Sequence, residues 1–481
     1  MVVAHPILSC AEAKDFEAAF FAGDEEREWA AMRKAGRAIA EAVLLDFCEI
    51  SELPAAARVL VLAGKGHNAG DALVAARRIR ELYPQVRIEV RFIYGDRALR
   101  PLAQRAWREL APGAESVSRW SADGYDLVLD GVFGYQFRSP LEPRVSVLLA
   151  EVRALKIRLR AAVDLPSGLG EPGAFQADFT YATGIVKLPL LTLPNAGRIR
   201  YLDLDFAVTA NAPERVLVSA TLDPLRALRC SRSDKRTYGH LFVVGGSRSY
   251  PGAVLMSVLA ALRSGVGLVT AFVPESLAAA FAARAPEVMW VGWPETADGG
   301  LAIEGSHLLV VRAGRASALL VGPGLGREPE TLALIQDVVS RSLVPLVIDA
   351  DALQPDIVSA GAALRVLTPH AGEFVRIEAA IPTGAVTIRK GPITTVQAGG
   401  VGYHSFFGGP VLARGGSGDI LAGLTGGLLA QAPADPLEAA CRAAVWHGQA
   451  ADALAQAHGQ VAVQTTQLID FLPAVLRKER A

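Results

Sequence analysis

The sequence predicts two α/β domains in tandem, each a mostly parallel sheet with helices on both faces. Three observations lead there. Short apolar runs alternate with helical patterns in both halves of the chain. Many of those runs end in glycine, aspartate or lysine, as the ligand-facing ends of parallel strands do. The alternation dissolves once, between about Leu188 and Leu225, where Pro189, Pro194, Pro213 and Pro224 fall. A chain of 481 residues holds two or three domains at roughly 100–200 residues each, and no internal repeat relates the halves. The expected bounds are 1–215 and 222–481.

In the first half, Trp29, Met32, Gly36, Ile39 and Val43 share one face of a helix expected over Trp29–Phe47. Strands are expected at Arg58–Ala63, Arg87–Tyr94, Asp126–Leu129 and Arg160–Val163, with helices at Asp71–Tyr83 and Pro101–Leu110. In the second half, strands are expected at Leu241–Val244, Gly267–Val273, Ala318–Val321, Pro345–Ile348, Arg365–Leu367 and Ala385–Arg389. Helices there are expected at Gly252–Ser264, Pro329–Ser342, Asp419–Gln431, Leu437–Ala457 and Thr466–Leu476.

Composition narrows the function. Net charge is −1 and the isoelectric point about 6.7, so the chain lacks the basic footprint of a nucleic-acid or membrane-surface binder. A hydrophobic fraction of 51% suits a packed globular enzyme. No apolar run reaches the roughly 18 residues of a membrane span, and Met1–Cys10 has no leader pattern, so a cytoplasmic protein is expected. Cys10, Cys48, Cys230 and Cys441 form no metal-binding spacing and read as small apolar side chains.

The segment Arg414–Asp419 (RGGSGD) precedes a helix. Its glycines let backbone N–H groups converge, and the helix start adds positive potential: an anion hole. A carboxylate there repels a phosphate unless it works as a base on a hydroxyl receiving the phosphoryl group. Taken alone, Asp419 reads equally well as a helix cap. The neighbouring strand ends shift that balance: GGS at 245–247, GPGLG at 322–326, Asp349 and Asp351, TPHAGE at 368–373 and Lys390-Gly391. In the first half, the segment Gly64–Asp71 (GKGHNAGD) lies between a strand and a helix, with a spacing unlike the dinucleotide fingerprint. DGVFG at 130–134 and DLPSG at 164–168 end two further strands.

The order GGS, GPGLG, DADAL, TPHxGE, KG and GSGD resembles the ADP-dependent NAD(P)H-hydrate dehydratases, a branch of the ribokinase-like superfamily, over roughly residues 225–476. The resemblance implies a ribokinase-like three-layer α/β/α domain that phosphorylates the hydroxyl of a hydrated nicotinamide ring from ADP, after which phosphate leaves. It implies Asp419 as the catalytic residue. Lys390, Gly391, Pro392, Ile393, Thr394 and Gly418 would form the adenine-nucleotide site, with Ala253, Gly324, Gly326 and His370 around the hydrate, and Mg²⁺ present. One departure is the short chain Phe374–Arg389 between the TPHxGE and KG motifs, where a flanking helix is expected to be missing.

Residues 6–210 resemble the NAD(P)H-hydrate epimerase domain, with a Rossmann-like three-layer sandwich. This implies K⁺ held by Asn68, Asp130 and Ser167, and hydrate contacts from His67, Asn68, Ala69, Gly70, Asp71, Gly134, Arg138 and Asp164. Asp164 is the implied proton-handling residue. His67, Ala69 and Gln136 depart from the family pattern, while the three K⁺ positions are intact. Together the halves imply a bifunctional repair enzyme acting on the NADH and NADPH hydrates, expected to be a homo-oligomer. Two other readings stay open: a ribokinase-like vitamin or sugar kinase, and a first half that only binds.

Overall fold

The computed structural model describes residues 2–206, 208 and 210–477. The chain forms two compact units, one over His5–Val216 with Ala455–Gln460, the other over Leu217–Leu454 and Val461–Ala481 with Met1–Ala4.

The first unit is a seven-stranded parallel sheet in the order Ala114–Ser116, Arg87–Phe92, Arg58–Ala63, Tyr125–Gly131, Ile157–Val163, Phe179–Thr183, Arg198–Leu202. The helices Glu25–Phe47 and His67–Leu82 pack on one face through Trp29, Ile39, Val43, Leu73 and Ile79. The helix Pro143–Ala154 covers the other through Val145, Leu149 and Val152. The first of these helices starts four residues before its apolar stripe because the Asp24 carboxylate accepts the N–H groups of Glu26 and Arg27. The helix His67–Leu82 also begins early, so His67–Asp71 form its first turn rather than the end of a glycine loop.

In the second unit the parallel strands run Met289–Trp293, Leu268–Pro274, His240–Val244, Ala318–Val321, Leu346–Ile348, Arg365–Leu367 and Val386–Arg389. An antiparallel hairpin, Thr394–Ala398 and Val401–Ser405, continues the sheet. The helices Pro251–Arg263 and Ser417–Gln431 pack closely together; Ser257 Oγ donates to the Asp419 carbonyl at 2.9 Å. Leu334, Ile335, Val338 and Val339 of the helix Pro329–Ser340 join a second apolar cluster with Phe242, Leu319 and Ile348. A short helix, Ala371–Ile377, begins inside the TPHAGE motif and ends early in the segment Phe374–Arg389, capped reciprocally by His370 and Glu373.

Candidate active sites

In the second unit, parallelism of the strands puts all five motif-bearing ends on one edge. Gly324 takes a φ of +69°, and a Cβ there would lie 2.3 Å from the Tyr250 carbonyl and 3.1 Å from Ala253 Cβ, so the GPGLG turn rests on the start of the helix Pro251–Arg263. Ser247 Oγ donates to the Gly324 carbonyl at 2.8 Å, tying two turns together. Asp351 accepts from the Gly326 N–H at 3.1 Å and from Arg327 Nε at 3.2 Å.

Behind these turns lies a charged cluster. Asp349, 1% exposed, accepts from Thr368 Oγ1 at 2.6 Å and from Lys390 Nζ at 3.0 Å. Lys390 Nζ is also 4.0 Å from Glu373 Oε2. The Lys390 N–H donates to the Pro369 carbonyl at 2.9 Å, which joins the TPHxGE and KG strand ends. Asp419 is the third residue of the helix Ser417–Gln431. Burial, with Asp349 repulsion behind it and Lys390 opposing, pushes its carboxyl up to about 7. A Cβ on Gly418 would sit 3.1 Å from Lys390 Nζ, so the helix start and the lysine adjoin. Gly391, Pro392 and Ile393 form the bend leading into the strand that starts at Thr394.

His370 lies on the same edge, but its ring is committed locally: Nδ1 accepts from the N–H groups of Gly372 and Glu373 at 3.0 and 3.3 Å. No motif in the sequence singles out His447. It is buried, bonded to the backbone of Ser417, and burial pushes its ring down to about 4, so it supports the GSGD turn as a neutral imidazole. Among the described residues no group of three or more His, Cys, Asp or Glu gathers as a metal cage. The acidic groups on this edge that would hold Mg²⁺ are Asp349 and Glu373, both beside Lys390.

In the first unit, the strand ends enclose a cavity of about 500 Å³. His67, Asn68, Asp71, Gly134 and Asp164 line it. Ala69 and Gly70 are buried and Gly70 faces Met32, while Arg138 is exposed; none of the three lines the cavity. The helical turn explains the first two, since only some positions of a first turn face one side.

Asp130, Ser167 and Asn68 do converge. Asp130, wholly buried, accepts from Ser167 Oγ at 2.6 Å, Ser167 N–H at 2.8 Å and the Val132 N–H at 3.2 Å. Asn68 Nδ2 donates to the carbonyls of Val163 and Phe133 at 2.8 and 3.0 Å. A Cβ on Gly134 would fall 2.3 Å from Asn68 Oδ1, so the chain passes close to the Asn68 amide there. Burial pushes the Asp130 carboxyl up to about 6, opposed only by neutral donors. A buried carboxylate without a cationic side chain, among hydroxyl and amide oxygens, fits a hard cation.

Asp164 sits at φ +62°, a conformation that non-glycine residues rarely adopt and that recurs at functional sites. Its Oδ1 accepts from Lys187 Nζ at 2.6 Å, and both side chains are almost wholly buried. Lys187 stands outside the strand-end motifs of the sequence. The fold makes it the counter-ion of the strained aspartate.

With this geometry in hand, the comparisons are specific. The NAD(P)H-hydrate dehydratase family profile matches residues 241–474, and the YjeF-related protein N-terminus profile matches 29–189. The bifunctional NAD(P)H-hydrate repair enzyme Nnr of Thermosynechococcus vestitus is 34% identical, over 99% of this chain and 98% of that protein. The enzyme of the same name from Gloeobacter violaceus is also 34% identical, over 97% of each chain. The chain belongs to the bifunctional NAD(P)H-hydrate repair enzymes. Among solved structures, an ADP/ATP-dependent NAD(P)H-hydrate dehydratase from Bacillus subtilis, co-crystallised with ATP and Mg²⁺, is 27% identical. That match covers 53% of this chain and 96% of that one, with a TM-score of 0.46. Among the described residues no helix is long and apolar enough to cross a membrane.

Proposed function

We propose that this member of the family is a cytoplasmic enzyme that interconverts the two epimers of NADH or NADPH hydrate in its first unit. In its second unit it dehydrates the S epimer with ADP, releasing AMP and phosphate. The observation that carries the second activity is Asp419, placed at the helix start and held near neutrality beside Lys390. A base with a pKa near the working pH is matched to taking a proton from a hydroxyl. Asp419 takes the proton of the ring hydroxyl as the β-phosphoryl group transfers to its oxygen. Lys390, Gly418 and the helix start hold the phosphates, the segment 391–394 holds the rest of the nucleotide, and Ala253, Gly324, Gly326 and His370 border the hydrate. Mg²⁺, when bound, neutralises phosphate charge in this site. The phosphorylated ring then loses phosphate and regains its double bond.

In the first unit, Asn68, Asp130 and Ser167 hold K⁺, which supplies the charge that the buried Asp130 lacks. Asp164 handles the proton, with His67, Asp71 and Gly134 bordering the substrate in the same cavity.

The test is recovery of absorbance at 340 nm from mixed NADH-hydrate epimers with ADP and Mg²⁺. Complete recovery, faster than spontaneous epimerisation in its second phase, is the expected result. A stall near half recovery would remove the epimerase assignment. A stable phosphorylated product with no NADH would replace the dehydratase with a small-molecule kinase.

A further inference from the structure

The cavity of the first unit is lined by two acids that none of the strand-end motifs contains, Glu17 and Glu28. Glu17 lies on the helix Cys10–Phe21, outside every glycine-rich turn, and lines the same cavity as Asp164. Tyr135 Oη donates to Glu17 Oε2 at 2.5 Å, which fixes the carboxyl group in place. Lys187 Nζ is 2.6 Å from Asp164 Oδ1 and 5.2 Å from the ring centroid of Tyr135, the residue that holds Glu17. Asp71 and Glu28 bring two more carboxyl groups from two other helices, and Lys14 adds a cation at the same cavity wall.

Epimerisation at the carbon bearing the hydroxyl needs two proton-handling groups. That carbon, C6, is bonded to both the hydroxyl oxygen and the ring nitrogen N1. A route without redox change opens the C6–N1 bond and closes it on the other face. One group must accept the hydroxyl proton while another donates to N1, and the roles reverse on closure. We propose that Glu17 is the second catalytic residue of the epimerase, the acid that works opposite Asp164. This rests on the epimerase reading above. Asp164 takes the hydroxyl proton and the C6–O pair becomes a carbonyl. The C6–N1 bonding pair moves to N1, which takes the Glu17 proton. After rotation about C5–C6, N1 attacks the other carbonyl face, returns its proton to Glu17, and the oxygen regains the proton held by Asp164.

The environments of the two acids support that division. Asp164 is paired with an ammonium group. Glu17 is pushed above the usual glutamate range, first by burial and also by Asp164 and Glu28, while Lys187 and the Tyr135 hydroxyl pull it down. Two carboxyl groups held in different environments is the arrangement that separates an acid from a base. Asp71 is also raised, but it is recessed in its helix, whereas Glu17 is only half-buried.

The experiment follows interconversion of purified R and S NADH hydrate by chromatography, with the full chain and K⁺ and without nucleotide, across pH. In the wild type an acid needed in protonated form gives a rate that falls as pH rises through its pKa. Glu17→Gln should lower kcat about 100-fold with KM within about twofold, and erase that limb. Tyr135→Phe removes a hydrogen bond that favours the charged carboxylate, so the limb should move to higher pH. Thermal melts of each variant confirm folding. If Glu17→Gln keeps kcat within threefold and the limb is unchanged, or if Tyr135→Phe folds and leaves the limb in place, the assignment of Glu17 is wrong. If the wild type itself does not interconvert the epimers, the epimerase reading fails instead.

Discussion

The two candidate sites place aspartates at the ends of parallel strands or beside them, yet surround them differently. In the second unit Asp349 meets a lysine at a strand end, and Asp419 lies on the adjoining helix, where burial and Asp349 together lift it to about 7. In the first unit Asp164 has its lysine at 2.6 Å, while Asp130 has none and is lifted to about 6 by burial alone. The difference teaches what each carboxylate is suited to. A group lifted by a like charge beside an anion hole is poised to gain a proton as phosphate arrives. A group lifted only by desolvation, and already satisfied by hydroxyl and N–H donors, is short of positive charge.

The sharpest way to break the comparison is Asp419→Asn, which removes the base and leaves the fold edge intact. Dehydratase kcat with ADP should fall by about 10³-fold, with epimer interconversion unchanged. Equal loss of both activities would mean that the variant reports on folding, not on chemistry. A smaller effect reads the same residue without mutation. Because Asp419 is raised from 3.8 to about 7, its base form is present above that pH and lost below it. Dehydratase kcat/KM should therefore drop nearly tenfold per unit below about pH 6.5, and the Asp419→Asn residual rate should lack this limb. A flat wild-type profile from pH 5.5 to 8 would remove Asp419 as the base.

Much of this was legible in the chain, and what was not shares one cause. The strand-end motifs could be read because parallel sheets collect such ends on one edge whatever the intervening lengths. Hence Lys390 and Asp349 could be placed on one edge before their distance was known. Lys187 could not be paired with Asp164, since the contact depends on the short strand Val186–Lys187, which pairs in parallel with Ala4–Leu8 at the far end of the sequence. Glu17 carries no motif; it matters only because the first helix is laid over the site. The strands Thr394–Ala398 and Val401–Ser405 escaped notice because their alternation is weak and polar. Helix starts were missed by a few residues where caps such as Asp24 and Gly66, not apolar periodicity, set them.

The smallest expected effect tests the cation that separates the two units. Asp130 has its pKa raised in the folded state, from 3.8 to about 6, so its contribution to stability is greatest when it is protonated and declines as pH rises through that window. Two units correspond to about 3 kcal/mol at neutral pH, to be offset by any cation that binds beside the carboxylate. At roughly 2–4 °C per kcal/mol for a unit of this size, replacing tetramethylammonium with K⁺ at pH 8 should raise the corresponding melting transition by several degrees. At pH 4.5, where Asp130 is already neutral, the gain should vanish. Asp130→Asn should melt higher than the wild type without K⁺ and respond little to it. A K⁺ effect of equal size at both pH values, or one retained in Asp130→Asn, would place the ion elsewhere and leave the buried carboxylate as a hydrogen-bonding strut for Ser167.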